Sequence, residues 1–412
     1  MKRYFLLLSC LLLPLLAQAQ VIPGIEVLES YGFEELQGKR VGLVTNPSGV
    51  DRRLRSTIDI LFEAPEVNLV ALFGPEHGVR GDVYAGDKVA DSTDPRTGLP
   101  VYSLYGATRE PTQGMLQGID VMVYDIQDVG TRCYTFISTL GLVMRACAKA
   151  DIEVLVLDRP NPLGGLKVEG PYVEYPYFSF VSQYRIPFVY GLTVGELAGL
   201  LNEEGLNCGM TGDQPPLKCR LNVIPMRGWE RWMLFKDTGL PWVLPSPNIP
   251  SPESALCYPA AGIAGEFGHI HTGVGYTIPF ETYAASWIDA DALKDRLDSY
   301  GIPGTAFRTI HYKPLSGSQA GNLQHGVQLF FTDYNAAPVT LVQFYVLQAV
   351  QELYPEKNPY PIKSTRMMDI VCGTDYVRTH FGERLQVADI VDYWTKDTED
   401  FRAVSQKYYL YR

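Results

Sequence analysis

Residues 67–78 read VNLVALFGPEHG, a short apolar run that stops at a Gly-Pro-Glu-His-Gly cluster. The same arrangement recurs along the chain, and it predicts strands at residues 39–45, 67–73, 121–126 and 153–157, each ending in a cluster of Gly, Pro, Asn or Asp. Helices are predicted over residues 53–62, 138–150 and 193–204, and the last of them starts with the capping-box spacing of Thr193 and Glu196. Short strands that alternate with helices are typical of a parallel sheet, so the sequence predicts an α/β fold.

A proline-rich stretch, LPSPNIPSP at residues 244–252, follows this region. Proline locks the backbone and removes N–H donors, so this stretch is a natural crossing between domains. Beyond it the pattern changes to a smaller α+β domain, with helices predicted at residues 291–300, 338–353 and 389–408 and strands at residues 306–312 and 326–332. The predicted domains are residues 20–250 and residues 251–412.

Length and composition restrict the class of protein. The chain has 412 residues, of which 46% are hydrophobic and 20% charged, which is enough for one large or two ordinary folded domains and argues against disorder. The formal net charge is −11 and no run of Lys or Arg interrupts this acidity, so the surface that nucleic acid requires is missing. Walker and complete Gly-x-Gly-x-x-Gly motifs are absent, which disfavours a nucleotide cofactor.

The N-terminus has the features of a secretory signal. Two basic residues precede an apolar run over residues 4–16, and Ala17-Gln18-Ala19 forms a small-residue cleavage site. The sequence predicts a signal peptide at residues 1–19 and a mature chain that starts at Gln20, in the periplasm or outside the cell. No other stretch has the 18 apolar residues that a membrane span needs.

Six of the seven cysteines follow the predicted signal peptide. They are too dispersed for a disulfide scaffold and lack a Cys-x-x-Cys metal spacing. Cys208 and Cys219 flank a Gly/Pro loop, and the sequence leaves open whether they form a disulfide or remain separate thiols.

Candidate catalytic residues lie at the predicted strand ends, because ligands of open α/β sheets bind outside the carboxyl ends of the strands. Glu76 is a candidate general acid whose pKa partial burial would raise, although its position alone favours a turn-stabilising carboxylate. Asp125 and Asp128 offer a second carboxylate beside Arg132 and Tyr134. The competing interpretation is that Arg132 simply neutralises one of the aspartates.

Two further groups of polar residues are less specific. Asp158, Arg159 and Asn161 could bind sugar hydroxyls and amides, or form a structural turn between the flanking prolines. His269 and His271 could be metal ligands completed by His77 or Asp158, but a lone His-x-His is more often a pair of loop residues. We therefore expect neither a metal nor a cofactor.

Four segments carry a resemblance to a known family: GPEHGVRG at residues 74–81, DIQDVGTR at 125–132, DRPNPLGG at 158–165 and PSPNIP at 245–250. They closely resemble the signature segments of the NamZ-type exo-β-N-acetylmuramidases, a bacterial family first described as a domain of unknown function. The resemblance runs in order from about Gly42 to the terminal tyrosines, so it covers nearly the whole mature chain.

The resemblance implies a secreted glycoside hydrolase that releases N-acetylmuramic acid from the non-reducing ends of peptidoglycan glycans. It also implies a Rossmann-like N-terminal domain and a smaller C-terminal domain, with the cleft between them, and it makes Glu76 the leading catalytic candidate. Glycoside cleavage uses a second carboxylate or the substrate's own acetamido group. The predicted catalytic residues are Glu76, His77, Asp125 and Asp128. The predicted substrate-binding residues are Asn46, Arg80, Gln127, Arg132, Tyr134, Asp158, Arg159, Asn161, Tyr190, His269 and His271.

The chain departs from the family pattern at two places. Residues 189–193 read VYGLT where the family commonly has Arg-His-Gly-Met-Thr, and residues 269–276 read HIHTGVGY where it has Asn-Leu-Ser-Glu-Gly-Arg-Gly-Thr. Val274 thus replaces an arginine suited to the lactyl carboxylate of muramic acid. Either another arginine (Arg80, Arg132, Arg159 or Arg185) takes over, or the preference for muramic acid is weaker.

Three alternatives to a muramidase remain open from the sequence. The chain could be an exo-glycosidase for a different amino sugar, a glycan-binding relative without turnover, or a metal-dependent hydrolase that uses His269 and His271. A pure binding protein has less need of a proton-donating carboxylate, and the residues retained here argue against one: Glu76, His77, Asp125, Asp128 and Arg132. The oligomeric state and the stereochemistry of cleavage do not follow from the sequence.

Overall fold

The structure is a computed structural model that describes residues 20–81, 92–206, 217–266, 269–357 and 365–412. The predicted signal peptide and Cys208 lie outside these ranges, and Cys219 is a buried free thiol. No helix in the described ranges is long and apolar enough to cross a membrane.

The N-terminal part is built on a seven-stranded sheet, which confirms the predicted α/β class. In chain order the strands are β1 (Arg40–Thr45), β2 (Asn68–Gly74), β3 (Ser92–Thr93), β4 (Pro100–Ser103), β5 (Val121–Asp125), β6 (Glu153–Leu157) and β7 (Arg220–Ile224). Their order across the sheet is β3-β4-β2-β1-β5-β6-β7, and only the β3–β4 pair is antiparallel. From β4 to β7 this is the Rossmann strand order, with its switch point between β1 and β5.

Helices cover both faces of this sheet: α1 (Gly24–Ser30), α2 (Thr57–Glu63), α3 (Phe136–Ala150) and α4 (Val194–Glu204). The capping box of α4 is confirmed, since Thr193 and Glu196 bond each other's backbone N–H. The predicted start of α2 is wrong by four residues. Asp51 holds the backbone N–H groups of Arg53 and Arg55 in a turn, and Ser56 then caps the helix.

The C-terminal part contains a three-stranded antiparallel sheet in the order β8-β10-β9 and several helices. Its strands are β8 (Thr282–Ala285), β9 (Thr305–Tyr312) and β10 (Gln324–Phe331). Its helices are α5 (Pro252–Gly265), α6 (Ala290–Tyr300), α7 (Val342–Leu353), α8 (Thr365–Cys372), α9 (Gly382–Arg384), α10 (Val391–Thr395) and α11 (Thr398–Ser405). This architecture confirms a smaller second domain of mixed helix and strand.

One local prediction for the C-terminal part is wrong. The helix predicted over residues 389–408 is broken between α10 and α11, where the Asp397 carboxylate accepts the backbone N–H of Tyr172. The proline-rich stretch ends where α5 begins, with Ser251 as N-cap and Pro252 in the first turn of the helix. The domain boundary at residue 250 stays a prediction.

Apolar packing joins the two parts. Along β5, Val121 and Val123 face α1 and α2, whereas Met122 and Tyr124 face α3 and α4. A third apolar cluster contains α5, α7 and the antiparallel sheet, and it also takes in Phe188 from the N-terminal part. The two parts of the chain therefore share one apolar cluster, and elements of both parts border the space between them.

Candidate active site

A cavity of about 900 Å³ lies between the two parts of the chain. The loops after β2, β4 and β5 line it on the N-terminal side, and the end of α5, the segment after it and α8 line it on the C-terminal side. Of the residues predicted from the sequence, Glu76, His77, Tyr134, His269 and His271 are on its wall. Val274, the position of the missing arginine, also lines it.

A tight turn after β2 places Glu76 on the wall. His77 and Gly78 both have positive φ, at 75° and 73°. For a non-glycine residue this conformation costs about 1–3 kcal/mol, and such strain is concentrated at functional sites. A Cβ at Gly74 would approach the backbone of Gly78 and Val79 to 3.2 Å, so the turn leaves little room for a side chain there.

Two hydroxyl groups contact the Glu76 carboxylate. Thr135 donates from Oγ1 to Glu76 Oε2 at 3.4 Å, and the Tyr105 hydroxyl bonds the same carboxylate. Burial, followed by the charge of Glu76 and this hydrogen bond, raises the pKa of Tyr105. Tyr105 therefore keeps its proton and acts as a donor to Glu76, in a geometry that leaves the carboxylate facing the cavity.

Aromatic rings form one wall of the cavity. Tyr134 packs edge-on against Phe136 and Tyr258, with centroid distances of 4.9 and 5.7 Å, and Tyr258 packs in the same way on Phe280 at 4.8 Å. All four side chains line the cavity. Flat amphipathic rings of this kind suit the apolar faces of sugar rings.

A second carboxylate, Glu266, lines the cavity directly after α5. Its side chain is open to the solvent of the cavity, yet the surrounding protein desolvates its carboxyl and raises its pKa. Among the described residues on the cavity wall, Glu76 and Glu266 are the only carboxylates. Sequence reasoning missed Glu266, although an acid that follows AAGIAG at residues 260–265 and precedes His269 was a usable signal.

The two loop histidines differ in their surroundings. His271 is half-buried, and its Nδ1 accepts the backbone N–H of Gly273 at 3.1 Å and lies 2.7 Å from the Tyr312 hydroxyl. Burial lowers the pKa of His271, so the ring is neutral at pH 7. His269 is exposed. Within the described ranges no three His, Cys, Asp or Glu side chains are grouped to hold a metal ion.

Asp125 and Arg159 pair with each other away from the cavity. Arg159 donates to both Asp125 oxygens, at 2.5 Å from Nε and 2.9 Å from Nη2, and Thr57 donates to Oδ2. Arg159 also donates to the Val50 carbonyl oxygen at 2.9 Å. Asp125 is fully buried, and neither side chain of the pair lines the cavity.

Asp128 is also buried behind the wall. It accepts hydrogen bonds at Oδ2 from the Tyr190 hydroxyl and, at 2.7 Å, from the Gly130 backbone N–H. Burial raises the pKa of Asp128 to about 6. The predicted second catalytic carboxylates therefore lie within the protein, and their roles in the reaction stay predictions.

Arg132 connects the two parts of the chain. Its guanidinium is fully buried and donates to the carbonyl oxygens of Pro171 and Ile186 at 2.8 and 2.7 Å, and of Val371 and Cys372 at 3.1 and 2.9 Å. Burial lowers the pKa of Arg132 to about 10. Arg132 does not neutralise an aspartate, and in this arrangement it does not reach the cavity.

Asp158 lies at the end of β6 in a closed network. Its Oδ1 accepts the Gly195 backbone N–H at 2.8 Å, and its Oδ2 accepts the Thr193 hydroxyl at 2.8 Å and the Tyr411 hydroxyl at 2.5 Å. Burial raises the pKa of Asp158 to about 7. The side chain is fully buried.

The remaining predicted residues hold loops together. Asn46 bonds Ser48 and the Pro245 carbonyl oxygen, Gln127 bonds the Pro160 carbonyl oxygen, Asn161 bonds the Leu192 carbonyl oxygen, and Arg80 pairs with Asp59 and Asp94. None of these four side chains lines the cavity. The polar clusters directly after β1 and β6 thus do not line this cavity, contrary to the prediction that four such clusters meet in one crevice. Farther along the connection from β6 to α4, however, Ser179, Phe180 and Val181 do line it.

Comparisons with known proteins give a consistent result. Residues 41–253 match the family model for the N-terminal domain of exo-β-N-acetylmuramidase NamZ, and residues 256–411 match the C-terminal one. The chain is 43% identical over 392 residues to the peptidoglycan β-N-acetylmuramidase NamZ of Bacillus subtilis (strain 168), covering 95% of this chain and 92% of that protein.

Two crystal structures of DUF1343 family proteins from Bacteroides fragilis NCTC 9343 are also similar. One is 51% identical with a TM-score of 0.90 and covers 95% of this chain and 99% of its own. The other is 29% identical with a TM-score of 0.76 and covers 96% and 99%. The similarity therefore extends over both domains.

Proposed function

Because the chain belongs to the NamZ family of exo-β-N-acetylmuramidases, we propose that it releases N-acetylmuramic acid from the non-reducing ends of peptidoglycan glycan fragments. Membership makes it a glycoside hydrolase. The observation that carries the finer proposal is the position of Glu76, a carboxylate held by Tyr105 and Thr135 on the wall of a cavity of about 900 Å³. That volume suits a small glycan segment.

In this proposal Glu76 is the general acid. In its protonated form it gives its proton to the glycosidic oxygen as the bond from that oxygen to the anomeric carbon breaks. The carboxylate that remains is the form that Tyr105 and Thr135 stabilise. The aromatic wall of Tyr134, Tyr258 and Phe280 supports the sugar ring while the proton is transferred.

The second carboxylate of the reaction is Glu266. It replaces Asp125 and Asp128 in this role because it shares the cavity with Glu76, whereas both aspartates are buried behind the wall. A carboxylate there can take a proton from the attacking water. If the acetamido oxygen of the substrate attacks instead, the same carboxylate can accept the acetamido N–H.

The test is an assay of the purified protein on the 4-nitrophenyl β-glycosides of N-acetylmuramic acid and N-acetylglucosamine. The expected result is release of nitrophenol from the muramic acid glycoside, and of free N-acetylmuramic acid from glycans that carry it at the non-reducing end. Turnover of the glucosamine glycoside alone would support the alternative of a different amino sugar, for which Val274 is the motivating residue. Binding of both sugars without turnover would identify a glycan-binding relative.

Export is proposed on the sequence of residues 1–19 alone. The expected outcome in the native host is a protein outside the cytoplasm whose first residue is Gln20. N-terminal sequencing of the protein recovered from periplasmic or medium fractions checks this. A cytoplasmic protein that retains residues 1–19 would contradict it.

A further inference from the structure

The cavity has very little positive charge. Among its described lining residues Arg109 is the only Arg or Lys. The arginines that sequence reasoning offered as substitutes are engaged elsewhere: Arg80 and Arg159 are paired with aspartates, and Arg132 is bonded to four carbonyl oxygens. Arg185 stacks on Tyr172 away from the cavity, at 4.2 Å from the ring centroid.

The plane of the Arg109 guanidinium stacks on an aromatic ring, and its in-plane N–H groups remain free to bind a ligand. The Cζ atom lies 4.3 Å from the centroid of the Phe180 ring, which also lines the cavity. The side chain is exposed, and within the described ranges no carboxylate forms an ion pair with it. Stacking occupies the plane of a guanidinium but leaves its in-plane N–H donors, whose fork matches a carboxylate.

Arg109 lines the same cavity as the candidate acid Glu76 and Tyr105. Its charge acts on Tyr105, whose hydroxyl bonds Glu76. A carboxylate bound at Arg109 would therefore belong to the sugar whose glycosidic bond Glu76 protonates, or to its immediate neighbour.

We propose that Arg109 binds the lactyl carboxylate of muramic acid and is the residue that distinguishes this sugar from N-acetylglucosamine. The inference rests on the proposed function, because it takes muramic acid as the substrate. The two sugars differ only by the lactyl ether, and its carboxylate is the group that a free guanidinium edge recognises.

The experiment compares the wild-type protein with Arg109→Gln, Arg109→Lys and the control Arg185→Gln. Arg185 is a matched control because it is likewise exposed and stacked on an aromatic ring. Two substrates are used: the 4-nitrophenyl β-glycoside of N-acetylmuramic acid, and the same glycoside with its lactyl carboxylate converted to the neutral methylamide.

For the charged substrate, Arg109→Gln is expected to lower kcat/KM by about tenfold to a hundredfold, mainly through KM, as the loss of a charge-assisted bond predicts. For the methylamide substrate, the same variant should change kcat/KM by less than about threefold, because this substrate has no carboxylate for Arg109 to bind. On the charged substrate, Arg109→Lys should have a kcat/KM between those of wild type and Arg109→Gln. Lysine keeps the positive charge but lacks the paired N–H donors of the guanidinium. The control should match wild type on both substrates, and thermal melting should show that all variants are folded.

The outcomes separate the two proposals. If wild type cleaves both substrates and Arg109→Gln lowers both equally or neither, the Arg109 inference is overturned and the proposed function stands. If wild type cleaves neither, the proposed function fails and the inference falls with it.

Discussion

The loop after β2 and the loop after β6 look alike in sequence and differ in the structure. Each follows a buried strand, contains proline and presents a carboxylate, Glu76 in one and Asp158 in the other. Glu76 faces a cavity of about 900 Å³ and contacts two hydroxyls. Asp158 is fully buried and accepts hydrogen bonds from Thr193, Gly195 and Tyr411.

What covers each strand end makes the difference. At β6 the N-terminus of α4 and the Tyr411 side chain close over the carboxylate of Asp158. At β2 the opposing wall comes from α5 and the segment after it, and it leaves a space. A polar cluster at a strand end therefore becomes a candidate site only where the rest of the chain leaves it uncovered, and the following variants test this contrast.

The largest effect is expected at the open loop. Glu76→Gln keeps the shape of the side chain but removes the transferable proton, so kcat should fall by roughly 10²-fold or more. Steady-state kinetics on the 4-nitrophenyl β-glycoside of N-acetylmuramic acid measure this. The control is Glu63→Gln on α2, an exposed glutamate away from the cavity, which should retain full activity. A folded Glu76→Gln protein with wild-type kcat would remove Glu76 from the reaction.

A smaller loss is expected at the opposite wall. Glu266→Gln should lower kcat by about tenfold to a hundredfold, because the second carboxylate orients or activates the attacking group and does not donate the proton itself. Glu253→Gln is the matched control, since Glu253 is an exposed residue of the preceding helix, α5. Equal kcat values for Glu266→Gln and Glu253→Gln would show that Glu266 is not the second carboxylate of the reaction.

Asp158, in the buried loop after β6, should affect the stability of the protein and not its catalytic activity. With a pKa of about 7, folded Asp158 holds a proton that the unfolded chain, with an ordinary pKa near 3.9, has already lost above about pH 4. The free energy of unfolding should therefore fall as pH rises from 4 to 7, by up to about 1.4 kcal/mol per pH unit from this group. Asp128, with a pKa of about 6, adds to the fall below pH 6.

Asp158→Asn tests this assignment because asparagine does not titrate. Between pH 5 and pH 7 wild type should lose about 2 kcal/mol more stability than the variant, measured as urea unfolding at the two pH values. Catalytic activity of the folded variant should stay within a few-fold of wild type. If the free energy of unfolding changed equally with pH in wild type and the variant, Asp158 would not be the group that binds the proton in the folded state.

The smallest effect concerns metal ions. His269 and His271 line the cavity, but within the described ranges they are not joined by a third ligand. Dialysis against EDTA should leave the activity unchanged. Loss of activity that added zinc restores would make the two histidines ligands and contradict the expectation.

Local patterns in the sequence predicted the sheet well and the site only in part. The four predicted strands and the capping box of α4 are present because apolar periodicity and cap chemistry act over a few residues. Glu76 became the leading candidate through the family resemblance of residues 74–81, and it lies on the cavity wall. Asp125 was placed in the site because the sequence does not show that Arg159 neutralises it.

The missed residues depend on long-range packing. Arg109 follows β4, a strand of four residues that is too short to predict, and it reaches the cavity only because β4 pairs beside β2. Glu266 lies on the wall because α5 packs across the strand ends from the other domain. Neither fact leaves a periodic signal in the sequence.

The central claim is that hydrolysis occurs in the cavity lined by Glu76. The most direct measurement is a crystal structure of the Glu76→Gln variant with a disaccharide that carries N-acetylmuramic acid at its non-reducing end. The account predicts the sugar in this cavity, with its glycosidic oxygen within about 2.6–3.2 Å of the side chain at position 76. A disaccharide bound elsewhere on the protein, or bound in the cavity with that oxygen out of reach of position 76, would contradict it.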